Sequence, residues 1–163
     1  MAVYVAEPAG RQGVGTKRGV ALAVTFSVLV VANRTADSPE LLDALRARAE
    51  RGPVRFTLLA PASTGREATE RQLKSALEVM RAAGLEVTGR IGDRDPTSAV
   101  ADAWDPAEFD EIIVSTLPAQ TSRWLSINLP QRVSKLTDAI VTHVVASETE
   151  SAKSTISQTS ELE

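Results

Sequence analysis

Short, nearly continuous aliphatic runs recur along this sequence, and no other feature limits its fold as much. They occupy residues 27–32 (SVLVVA), 54–60 (VRFTLLA), 111–115 (EIIVS) and 139–146 (AIVTHVVA). A strand buried on both faces reads as an unbroken apolar run, whereas a strand with one wet face alternates. Amphipathic helix patterns lie between the runs. Ser38 can cap a helix with Pro39 in its first turn and Glu40 near the positive end of its dipole; Leu41, Leu42, Leu45 and Ala49 form its stripe, and Gly52-Pro53 ends it. A second helix over residues 67–83 places Leu73, Ala76, Leu77 and Met80 on one face and stops at Gly84. Residues 85–91 make a weaker third strand, Asp95-Pro96 opens a short helix running to Trp104, and residues 130–137 form another helix before the last strand. Five strands joined by helical crossovers predict an α/β fold, a five-stranded parallel doubly wound sheet with helices on both faces.

The 163 residues suffice for one such unit, with 43% hydrophobic, 24% charged and only 4% aromatic residues, so the core is aliphatic. A net charge of −3 with no basic run gives no footprint for nucleic acid or an anionic membrane. The absence of cysteine removes disulfides, thiol catalysis and thiolate metal sites. We read residues 1–26 as a flexible N-terminal extension, residues 27–146 as the folded domain and the Ser/Thr-rich residues 147–163 as a disordered tail. Arg11, Lys17 and Arg18 before an apolar run also imitate a secretory signal, but cleavage after Ala32 would remove the first strand.

In a sheet of this kind ligands sit beyond the carboxyl ends of the strands, where strand order reverses. That selects Asn33, Arg34 and Thr35 after the first strand, residues 61–63 after the second, Gly92 and Asp93 after the third, and residues 115–123 after the fourth. The last of these segments offers Ser115, Thr116, Thr121 and Ser122 as hydroxyls and Arg123 as a charge. Catalysis has no anchor in the sequence. His143 is the sole histidine and is expected to be structural, away from the strand carboxyl ends; Asp93 with Asp95, and Asp102 with Asp105, are explained by capping and solvated turns. A phosphate-receiving regulator would need acids after the first strand and a Lys near the fifth, where this chain has Asn33 and no Lys.

The residues also resemble a known family. Residues 27–146 are similar to the universal stress proteins in the first strand with its polar turn (VLVVANRT), the Gly-Asp before a Pro-led helix (GDRDPTSAV) and the segment from fourth to last strand. The resemblance implies strand order 3-2-1-4-5, frequent homodimers, and a nucleotide-binding branch whose phosphate loop reads Gly, two residues, Gly, nine residues, Gly, then Ser or Thr. Those positions fall on Ser115, Pro118, Asn128 and Leu129, so all three glycines are missing. The acidic residue of that branch corresponds to Asn33, while Asp93 keeps its counterpart. Glycine lets backbone N–H groups approach a phosphate with no Cβ in the way, and Pro118 removes a donor altogether.

The expectation is therefore a non-catalytic, cytoplasmic regulatory or interaction module without a cofactor, bacterial by its Arg-rich, Lys-poor composition. The alternative is a nucleotide-binding stress sensor, with ATP as the candidate, using an unconventional loop built from Asn33, Arg34, Thr35, Asp93, Ser115, Thr116, Thr121, Ser122, Arg123 and Asn128. A homodimer is expected through the last strand, Ile140–Val145, which the family order places at the sheet edge with no Lys or Pro to blunt it.

Overall fold

The elements follow one another as β1 (Phe26–Val31), α1 (Pro39–Glu50), β2 (Val54–Pro61), α2 (Arg66–Ala82), β3 (Val87–Gly92), α3 (Pro96–Ala103), β4 (Glu111–Thr116), α4 (Arg123–Ser126), α5 (Leu129–Thr137) and β5 (Ile140–Val145). The structure, a computed structural model, describes residues 25–147. The expected extension and tail therefore lie almost entirely outside the described residues. One boundary is corrected: Phe26 belongs to β1, where its N–H donates to Pro53 O at 3.0 Å and it pairs with Val54.

All strand pairings are parallel, in the order β3-β2-β1-β4-β5. The doubly wound sheet of order 3-2-1-4-5 is thus the architecture of this chain. Alternate residues of the central strands feed two separate cores. Val28 and Val30 join Leu41, Leu45, Phe56 and Met80 under α1 and α2, while Leu29 and Val31 join Val100, Ile112, Val114 and Val133 under α3 and α5. Burial on both faces is why β1 reads as an unbroken apolar run. The helix starts follow local chemistry. Ser38 Oγ accepts from Leu41 N at 3.1 Å to cap α1, Asp95 Oδ2 accepts from Ser98 N at 2.8 Å to cap α3, and Gly84, at φ +89°, supplies the left-handed turn after α2.

Several expectations need adjusting. The third strand starts at Val87 rather than at residue 85, because Leu85 N donates to Met80 O at 3.2 Å and so closes α2. α4 was not expected at all. β5 is less covered than a strand between helix layers: only Val141 and Val144 pack against the two cores, and Ile140 stays 71% exposed.

Gly92 fixes how closely α3 approaches the sheet. A Cβ there would lie 2.6 Å from Ala99 Cβ and 3.1 Å from Leu59 Cδ1, so Gly92→Ala must push α3 outward. Overpacking of this kind costs about 1–3 kcal/mol. We expect a matching fall in stability by chemical denaturation, and an unchanged midpoint would show that α3 is not held at this distance.

Candidate functional site

The carboxyl ends of β1, β2 and β4 meet where strand order reverses, and the polar residues there are tied to one another. Asn33, almost fully buried, donates from Nδ2 to Pro61 O at 2.9 Å, joining the ends of β1 and β2; its Oδ1 is buried without a partner among the described residues. Thr35 Oγ1 lies 2.7 Å from Ser115 Oγ and also donates to Ser115 O at 3.2 Å, tying the turn after β1 to the end of β4. Next along β4, Thr116 Oγ1 is 2.7 Å from His143 Nε2 on β5.

Past Thr116 the chain turns back on itself. Pro118 O accepts from Thr121 N at 3.0 Å, from Ser122 N at 2.9 Å and from Thr121 Oγ1 at 3.3 Å. Ser122 Oγ then accepts from Leu125 N at 3.1 Å, capping the four-residue α4. That turn brings Arg123 and Trp124 to the wall of a cavity of about 170 Å³, lined also by Asn33, Arg34, Thr35, Ser63, Thr64, Ser115, Thr116, Leu117, Thr121 and Ser122. Trp124 packs against the core under α5 as well, so its bulk pins the turn. Arg34 and Arg123 are both exposed, and neither forms an ion pair among the described residues.

Two of the expected site residues stand apart. Asp93 lines a neighbouring open depression with Arg66 and Arg94, and its Oδ1 accepts from Asp95 N at 2.9 Å, which orders the turn into α3. Ser63 and Thr64 border both hollows. Asn128 lines a third depression with Arg132 and Lys135 at the start of α5. Its φ of 57° is left-handed, a conformation glycine adopts freely and asparagine tolerates, so the backbone here keeps a glycine-like shape under a different side chain. Thr64, one residue beyond the segment selected after the second strand, was missed in the sequence. Thr64 stands three residues beyond β2, and strand boundaries alone do not show how far such a loop folds back.

His143 requires a correction. It was expected away from the carboxyl ends, yet it pairs with Val114, two residues before Thr116 on the same face, and its ring spans that step along the pleat to reach the hydroxyl. Burial lowers its pKa from the ordinary 6.5, so the ring is neutral at pH 7. Among the described residues no cluster of three or more His, Cys, Asp or Glu could hold a metal ion, and no helix is long and apolar enough to cross a membrane.

Solved structures of the same fold identify the architecture. A universal stress protein from Archaeoglobus fulgidus superposes with a TM-score of 0.54 at 14% identity, over 73% of this chain and 93% of that one. A structure of the A. fulgidus universal stress protein in complex with dAMP gives 0.54 at 13%, over 76% and 99% of the two chains, and a universal stress protein in complex with cAMP gives 0.51 at 18%, over 74% and 97%. The chain therefore has the universal stress protein fold. No protein-family model matches it, and no curated protein matches it significantly.

Proposed function

We propose that this chain is a divergent universal stress protein that acts without catalysis, as a cytoplasmic regulatory or interaction module paired through β5, and that it is not a conventional ATP binder. The observation that carries this reading is the turn after β4. Pro118 has no N–H to offer, and its carbonyl takes the amides of Thr121 and Ser122, the kind of donors that a phosphate loop keeps free. The cavity supports the same reading, since about 170 Å³ falls below the roughly 300–1,000 Å³ usual for ligand pockets. The paired acids Asp93 and Asp95 are spent on the Asp95 and Ser98 amides. We expect calorimetry with ATP and magnesium to give a dissociation constant weaker than about 1 mM, worth only about 4 kcal/mol. Low-micromolar binding would overturn the reading, and its loss in Arg123→Ala would place the phosphates at this turn.

A nucleotide sensor is the second reading, and a specific observation favours it. Among the described residues Asn33 Oδ1 is a buried acceptor with no donor, beside two arginines with no acid partner. A nucleoside monophosphate offers both an amino group and an anion, and two of the fold neighbours are described with dAMP and cAMP. Micromolar binding of either compound, alongside no binding of ATP, would favour this second reading.

A further inference from the structure

The contact between Thr116 and His143 joins the wall of the cavity to the edge strand, and it changes character when the imidazole gains a proton. We propose that the cavity takes a small doubly charged oxyanion between Arg34, Arg123 and the hydroxyls of β4, and that His143 sets its affinity through the hydroxyl of Thr116. This goes beyond the proposed function and stands independently of any nucleotide.

The direction of one hydrogen bond decides what the cavity offers an anion. We take the neutral ring to carry its proton on Nδ1, so that Nε2, 2.7 Å from Thr116 Oγ1, accepts from that hydroxyl and commits its proton to β5. The cavity then meets oxygen lone pairs, which repel an anion. In the imidazolium both ring nitrogens are donors. Nε2–H must then donate to Thr116 Oγ1, and the threonine proton is released to turn toward the cavity. Protonation thus converts one acceptor on the wall into a donor and adds a positive charge behind it. Both changes favour an anion, so binding tightens as the pH falls.

Charged side chains lie on the elements that flank β5 and the cavity. Arg123 stands across the cavity; α5 contributes Arg132, Lys135 and Asp138; Glu111 begins β4 at the far end of the sheet and is held by Arg48 of α1 at 2.7 Å. Among the described residues none of these forms an ion pair with the imidazole. Asn33 Oδ1, an acceptor, plays no part in holding the anion.

The test uses the fact that the chain contains a single histidine. Proton NMR of tag-free protein follows the His143 ring through its titration with and without sulfate, which remains a dianion across that range. Sulfate is expected to raise the midpoint by about one unit, equivalent to roughly tenfold tighter binding to the protonated form. Thr116→Val should still bind sulfate but lose at least half of that displacement. In His143→Gln, which retains an amide nitrogen near the Nε2 position and cannot titrate, calorimetry should find sulfate affinity independent of pH. The proposal is overturned if sulfate leaves the midpoint in place, if Thr116→Val displaces as far as the unmodified chain, or if pH dependence survives in His143→Gln. Should Thr116→Val fail to fold, the glutamine variant decides.

Discussion

Phe56→Ala is expected to remove about 3–5 kcal/mol, the usual cost of truncating a buried aromatic residue, from a total that for a domain is about 5–15 kcal/mol. Phe56 is fully buried on β2, opposite Val28 of β1 on one side and Val87 of β3 on the other. It belongs to the core closed by Leu41 and Leu45 of α1 and by Ala76 and Met80 of α2. In a chain with 4% aromatic residues, the other buried members of that cluster are aliphatic apart from Met80. Strands held by parallel ladders on both sides cannot close over the space, so the cavity term remains large. Urea unfolding should show a lower midpoint with an unchanged slope. Phe56→Leu, which refills most of the volume, should keep more than half of the lost stability. A loss below about 1 kcal/mol in Phe56→Ala would mean that the two helices collapse into the gap.

The same burial explains why the architecture was legible in the sequence. Unbroken aliphatic runs are what a sheet with both faces covered demands, and Ser38, Asp95 and Gly84 mark helix ends by hydrogen bonding and handedness that depend on near neighbours alone. What the sequence could not show depends on contacts between distant residues. α4 is a single turn created by the Ser122 cap and the Pro118 carbonyl, too short to carry a periodic pattern. Leu85 looks like a strand residue because it is apolar and buried, yet its amide belongs to the end of α2.

The site was legible to the extent that topology alone fixes it. β1 has β2 on one side and β4 on the other, so strand order reverses there and the turns after β1 and β4 must face each other. Asn33, Arg34, Thr35, Ser115, Thr116, Thr121, Ser122 and Arg123 accordingly share one cavity. Asp93 follows an edge strand two places away, and Asn128 follows α4, which carries it past the rim. The role of His143 depends on register. Only the pairing of Val114 with His143 brings the ring within reach of Thr116, and a shift of one residue would turn it to the opposite face.

Proline on β5 should separate assembly from folding. The two substitutions that test this are adjacent in sequence but point in opposite directions. Ala146 N donates to Thr116 O at 2.8 Å, so the end of β5 presents that amide to β4. Amides alternate along a strand, which turns those of Val144 and Thr142 inward and those of Val145, His143 and Val141 toward the open edge. Thr142→Pro removes an internal ladder bond and forces its ring against β4, at a cost on the order of 3 kcal/mol. On the backbone, His143→Pro removes only a donor that faces outward, and with the ring it removes the contact to Thr116 Oγ1. The edge carries exposed Ile140 at 71% and Val145 at 47%, and pairing with a second copy would cover them. An antiparallel contact between two β5 strands closes on itself by twofold symmetry and continues the sheet across both subunits. We therefore expect a dimer for the unmodified chain by light scattering at tens of micromolar, a folded monomer for His143→Pro, and a destabilised chain for Thr142→Pro. His143→Gln, which keeps the amide, should remain dimeric, so loss of the ring is told apart from loss of the donor. A monomeric unmodified chain, or a His143→Pro variant that stays dimeric and folded, would move the interface from β5 to the helices.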